Sequence, residues 1–113
     1  MTLGQTQEIF SVNVGKLLLF ADVNGFNPRL RECQRTIEQQ EIYLKKGKSR
    51  TRYSAHLDSL AVDIYFTKNG KLLESKEDLQ ILGAYWESLH TKNEWGGNWT
   101  SFLDCPHFEM KFN

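Results

Sequence analysis

Apolar side chains recur through residues 7–24 at Phe10, Val14, Leu17, Leu18 and Ala21. The i, i+4, i+7, i+8, i+11 spacing draws one stripe on a helix and predicts an amphipathic segment that stops at Asn24-Gly25. Residues 26–34 predict a short connection or an edge strand. Thr36-Ile37-Glu38-Gln39 has the Thr-x-x-Gln form of a capping box. It predicts a second helix over 37 to about 46, with Gly47 as its stop. Residues 48–59 (KSRTRYSAHLDS) follow neither period and read as a loop. Then residues 60–66 alternate: Leu60, Val62, Ile64 and Phe66 point one way, Ala61, Asp63 and Tyr65 the other. Asn69-Gly70 is a hairpin turn signal, and Lys71-Leu72-Leu73 begins the return strand. Ser75 can cap a helix over 76–90 with Leu79, Leu82, Trp86 and Leu89 on one face. Residues 91–106, rich in Trp, Gly and Asn, read as a loop. A closing strand places Phe108, Met110 and Phe112 on one face and His107, Glu109 and Lys111 on the other.

Helices, a hairpin, a helix and a last strand imply an α+β fold with a small, mostly antiparallel sheet and flanking helices. A chain of 113 residues without internal repeats is read as a single unit, 1–113. The 14 Lys and Arg balance 14 Asp and Glu, so the formal charge is zero. This argues against a nucleic-acid partner, because phosphate binding draws on surplus cations. The longest apolar run, LLLFA at 17–21, is too short to span a bilayer. MTLGQTQEIF has no basic segment followed by an apolar one. The expectation is synthesis in the cytoplasm without stable membrane association. Cys33 and Cys105 make no disulfide framework and read as buried or partly buried thiols, a single bridge being the alternative.

Chemistry concentrates next to loops. His56 ends the polar loop, and Asp63 interrupts the otherwise apolar strand. Asp104-Cys105-Pro106-His107 leads into the last strand. If that strand pairs beside 60–66, His56, Asp63 and His107 converge as two imidazoles and a carboxylate. Three such ligands with an open fourth position are the arrangement of a catalytic zinc site, whereas structural sites close with four. Asp104 would then hang beside the metal as a proton acceptor. Arg35, just before the capped helix, could hold an oxyanion. The plainer readings stand beside these: an exposed, salt-bridged Asp63, a backbone-bonded His107, a surface Arg35. His90 suits the C-terminal end of a helix. Trp95 and Trp99, with Gly96-Gly97, line a groove or pack beneath the loop. Arg50 and Arg52 read as a solvated basic pair.

The order QRTIEQQ, GKSRTRYSAHLDSLAVDIYF, NGKL, WGGNWTSFLDCPHFEM resembles one family over about 10–112, nearly the whole chain. It is the family of zinc D-Ala-D-Ala carboxypeptidases and L-alanyl-D-glutamate endopeptidases, which includes the vancomycin-resistance peptidases and many phage endolysins. Its motif is Ser-x-His with an Asp seven positions after the His, then an acid three residues before a second His, preceded by Trp-Gly-Gly. The resemblance implies the hedgehog-like zinc peptidase fold and one Zn²⁺ held by His56, Asp63 and His107. It implies Asp104 as general base and Arg35, in the Arg-Thr-x-x-x-Gln pattern closed by Gln40, as the residue that steadies the substrate carbonyl. Ser54 matches the serine two positions before the first ligand, and Gln40 supports the site from behind. Trp95 and Trp99 are assigned, with Ser54 and Gln40, to substrate binding or to support of the site from behind. One departure is Ser59, where many relatives have Gly.

The resulting expectation is a peptidoglycan peptidase acting on the stem peptide, cutting L-Ala–D-Glu as a phage or prophage endolysin does. The short chain implies a catalytic domain with no separate wall-binding domain, acting as a monomer after holin-dependent release. D-Ala-D-Ala carboxypeptidase or dipeptidase activity is the alternative. A non-catalytic, zinc-containing wall-binding module is an alternative of another class.

Overall fold

The computed structural model describes residues 1–51 and 53–112. Helix α1 (Leu3–Val23) starts earlier than the predicted stripe, because Thr2 and Gln5 cap its first turn reciprocally. Phe10, Leu17 and Ala21 are buried, with Val14 and Leu18 packed beside them. β1 (Asn27–Leu30) is the edge strand. α2 (Ile37–Lys45) begins at Thr36, whose hydroxyl accepts the Gln39 N–H at 3.1 Å. Among the described residues only this forward half of the expected box forms. A 3-10 turn at Ala55–Asp58 sits in the predicted loop.

β2 (Ala61–Lys68) turns at Asn69 (φ 53°) and Gly70 (φ 77°) into β3 (Lys71–Leu73). Two successive positive φ angles are what the tightest hairpin turn requires, hence Asn-Gly. α3 (Lys76–Ser88) is capped by Ser75 and buries Leu79, Leu82 and Trp86. The 91–106 segment holds more order than its sequence predicts: β4 (Asn93–Trp95) and a 3-10 turn at Gly96–Asn98. Three residues are too few to display an alternation. β5 (His107–Met110) ends before Phe112, which is 40% exposed rather than sharing the apolar face.

All pairings are antiparallel, in the order β1-β2-β5-β4 with β3 also on β2. One face of the sheet packs on α1 and α3. Phe10 meets Trp86 edge-on at 5.6 Å, and Trp86 meets Phe108 at 6.0 Å. Truncating a buried aromatic of this kind costs about 3–5 kcal/mol. The other face is left open beside α2 and the loops. Both thiols are free, Cys33 half-buried and Cys105 buried. Among the described residues no helix is long and apolar enough to cross a membrane.

Ser59 closes the Ala55–Asp58 turn at φ 53°, ψ 38°, a left-handed conformation. That costs a residue with a Cβ about 1–2 kcal/mol, and glycine's greater freedom when unfolded returns part of the gain. Ser59→Gly should therefore stabilise the chain by about 1 kcal/mol, roughly 4 °C in Tm. An unchanged or lower midpoint in a thermal melt would show that the turn carries no such strain.

Candidate metal centre

Ser54 accepts the His56 N–H at 3.2 Å and so starts the turn that presents His56, which is 1% exposed. Asp63 stands on the open face of β2. Its backbone is fixed from the β1 side: its N–H donates to the Glu32 carbonyl, and its carbonyl accepts from Arg31 N–H. His107, the first residue of β5, is its cross-strand partner. The strand pairing that sequence reading made conditional is present, and it gathers all three groups. Asp63 Oδ1 lies 3.4 Å from His56 Nε2 and 3.4 Å from His107 Nδ1, and one donor atom from each residue lies within 4.8 Å of the others.

Three observations fit a metal ion there. Asp63 Oδ1 is buried and makes no hydrogen bond among the described residues. Separations of 3.4 Å match the edge of a tetrahedron whose metal–ligand bonds are about 2.0–2.1 Å. Each imidazole also has its other nitrogen engaged: His56 Nδ1 with the Cys33 carbonyl at 2.7 Å, His107 Nε2 with Glu109 Oε1 at 2.7 Å. Holding the far nitrogen fixes the tautomer and leaves the near one free to ligate.

Asp104 arrives on the turn before β5. Its N–H donates to the Gly96 carbonyl at 3.0 Å, and its carbonyl accepts the His107 N–H at 3.1 Å. Its carboxylate sits 3.9 Å from His107 Nδ1, beside the trio but outside it. Any Cβ on Gly96 would strike the Asp104 carbonyl, so the glycine permits this approach.

Arg35 is more occupied than its predicted role suggests. Nε and Nη2 both donate to Glu32 Oε1, and Nη1 donates to Gln40 Oε1 at 2.7 Å and Ser54 Oγ at 3.4 Å. The guanidinium lies 4.6 Å from the Tyr43 ring centre. Of its five N–H donors, one on Nη2 has no partner among the described residues. Gln40 is 1% exposed and does stand behind Arg35, its amide donating to Ser49 and Thr51.

The two tryptophans separate. Trp99 is tilted over His107 with centres 4.9 Å apart and lines the cleft. Trp95 is fully buried, its N–H on the Cys105 carbonyl at 2.8 Å and its ring against Gly83 and Gly97. Its assignment to substrate binding is therefore corrected to packing beneath the loop. His90 closes a turn, its Nδ1 accepting the Lys92 N–H. Arg52 lies outside the described residues. Sequence reasoning missed Glu32 and Glu109. Glu109 had one signal, its place beside His107 on the polar face of the last strand.

Burial opposes ionisation of Asp63, but its contacts with His107 and His56, and their charge, outweigh it and hold the carboxyl well below the usual range. Burial likewise opposes the charged form of His107. The Asp63 and Glu109 contacts, with the charges of Glu109 and Asp104, win and push it up to about 9. Burial raises Asp104, more than His107 lowers it.

Residues 47–110 match the D-alanyl-D-alanine carboxypeptidase family. The chain belongs to this family. The match includes His56, Asp63, Asp104 and His107 and begins after Arg35 and Gln40. The chain is 33% identical over 106 residues to the L-alanyl-D-glutamate peptidase of Listeria phage A118, across 86% of its own length and 35% of the phage protein. It thus spans about a third of that relative. The crystal structure of the Serratia marcescens L-Ala D-Glu endopeptidase ChiX aligns with a TM-score of 0.63 at 26% identity, over 75% of this chain and 67% of that one.

Two expectations follow for metal binding. A metal at His107 Nδ1 must displace a proton, so affinity should rise about tenfold per pH unit from 6.5 to about 9. Competition between the protein and a chelator for Zn²⁺ would read this, and a flat profile would contradict it. In the metal-free chain the sign is opposite. The raised His107 contributes stability in full below about 6.5 and loses it as pH rises through about 9. Separately, Glu109→Ala should lower metal affinity about 10–100-fold without unfolding the chain. Unchanged affinity would remove Glu109 from the centre.

Proposed function

We propose that this chain is a zinc-dependent peptidoglycan peptidase that hydrolyses the L-Ala–D-Glu amide of the stem peptide, with residues 1–113 acting as one catalytic unit. The observation that carries the reading is the His56–Asp63–His107 cluster with Asp104 beside it on one open face. The names of the phage and Serratia relatives support the choice of bond. The family's own description favours a second reading, removal of a terminal D-Ala.

His56 Nε2, Asp63 Oδ1 and His107 Nδ1 would hold the ion. When bound, zinc supplies Lewis acidity, which activates water near neutral pH and polarises a carbonyl. Asp104 accepts the proton of the attacking water and delivers it to the nitrogen of the leaving amine as the C–N bond breaks. Its burial suits the first half of that task, because a carboxyl raised from its ordinary value takes a proton more readily. The free N–H of Arg35 donates to the carbonyl oxygen as charge builds there. Glu32, Gln40 and Tyr43 keep the guanidinium from moving, and Trp99 covers His107 against bulk water. A pure wall-binding module has no use for a carboxylate poised in this way. Action on the wall follows synthesis in the cytoplasm and release through a holin-type pore, by a monomer.

Asp104→Ala should keep its metal and lose turnover by about 100-fold or more. Mass spectrometry of peptidoglycan digested by the zinc-loaded protein, with a chelated control, tests the bond. New L-Ala carboxyl ends and D-Glu amino ends support the endopeptidase. Loss of a terminal D-Ala alone moves the assignment to the carboxypeptidase, and no zinc-dependent product refutes both.

A further inference from the structure

The charges around the cleft do not all find partners. Glu32 answers Arg35, while Asp63, Asp104 and Glu109 all face histidine nitrogens. Lys48 and Arg50 line the same cleft, a space of about 170 Å³ over His56 and His107. Among the described residues neither has a carboxylate within ion-pairing distance. Arg50 is held nonetheless. Its guanidinium stands 5.4 Å from the Phe102 ring centre, reaching across to the loop that carries Asp104. Lys48 also lines the adjoining hollow beside Asp63, as Arg35 and Asp104 do. These two cations therefore border the place where a scissile amide must lie between Asp104 and Arg35.

We propose that Lys48 and Arg50 form a subsite for a free carboxylate on the leaving-amine side of the scissile bond. This deepens the peptidase reading and rests on it. A glutamyl residue on that side carries two carboxyl groups and needs only one to continue the chain, so the other stays ionised unless it is amidated. A terminal D-Ala offers the same group, on the carbon bonded to the scissile nitrogen. Both candidate substrates thus present an anion next to the bond, and both lose it on amidation. Two cations left without partners match that chemistry, and they would make the enzyme discriminate against amidated stems.

The test is binding without turnover. The zinc-loaded Asp104→Ala chain is titrated calorimetrically with four peptides: an L-Ala–D-Glu stem and its carboxamide, and a D-Ala-D-Ala-ended stem and its carboxamide. Each free acid should bind about fivefold more tightly than its amide, the size of a partly exposed charge pair, and added salt should erode the preference. The preference should vanish when Lys48→Ala and Arg50→Ala are added, both at exposed side chains, in a variant that a thermal melt shows to be folded. A preference confined to one pair of peptides identifies which carboxylate the subsite takes. Equal binding of acid and amide overturns the subsite, as does a preference that survives the double substitution, or no binding of any peptide. If the preference is found but the unsubstituted protein cuts no wall material, the peptidase reading fails and the subsite stands.

Discussion

Across the β2–β5 ladder Asp63 stands opposite His107, next to the bond from Ile64 N–H to the Pro106 carbonyl at 2.9 Å. That neighbour makes Asp63 and His107 a pair that shares no backbone hydrogen bonds, the kind whose side chains come closest in an antiparallel sheet. The register is held from the far side. Val62, Ile64, Phe108 and Met110 are buried against α1 and α3, and a slip by one residue would expose them while driving the histidine inward. The core thus places two of the three metal-facing groups from the opposite face of the sheet. His56 joins from outside the sheet, and needs its own device, the Ser54-capped turn that ends at a left-handed Ser59.

What could be read from the sequence is what local periodicity encodes. The alternation through Asp63 and the polar face of the last strand put His107 and Asp63 within reach of each other on the condition that the two strands pair, and the Asn69-Gly70 turn marked where the first of them ends. The Thr-x-x-Gln signal was ambiguous in a way that physics explains. At Thr36 only the backbone half forms, while the same spelling at Thr2–Gln5 closes fully and starts α1. Capping depends on where the side chain can turn back, and four letters do not carry that. Glu32 left no signal, and Glu109 only its place on the polar face of the last strand, for a different reason. Each acts on a residue close in sequence, but an acid two or three positions from a cation or histidine is common on any surface. Only burial on the open face turns the spacing into a bond.

Trp95 shows how a motif can be specific and still be misassigned. Trp-Gly-Gly before an acidic residue suggests an aromatic wall for substrate. In the fold its ring lies between Gly83, inside α3, and Gly97, where no Cβ could be accommodated at either position. Glycine inside a helix costs about 0.5–1 kcal/mol relative to alanine, so its presence in α3 signals a close approach. That cue was not read from the sequence, which left Trp95 to line a groove or to pack beneath the loop. Gly96 has a separate task, admitting the backbone of Asp104. One short segment therefore packs a core and sets a carboxylate, and Trp99 alone of its tryptophans reaches the cleft.

The two histidines differ in what stands behind them. His56 is backed by a neutral carbonyl, His107 by a carboxylate. A carbonyl on one ring nitrogen fixes the tautomer. A carboxylate favours the protonated ring as well, and with Asp63 on the other nitrogen His107 is enclosed by negative charge on both sides. The same field that would stabilise a cation between Asp63, Asp104 and the histidines is, without one, satisfied by a proton on His107. A chain with zero formal charge can thus hold a strongly acidic pocket. The opposing charge lies in the rim, where Arg35 is already tied to Glu32 and the cations of the 48–50 loop are not. A substrate carrying its own carboxylate beside the scissile bond would then orient itself, its anion toward the rim and its carbonyl toward the cation that the pocket would hold.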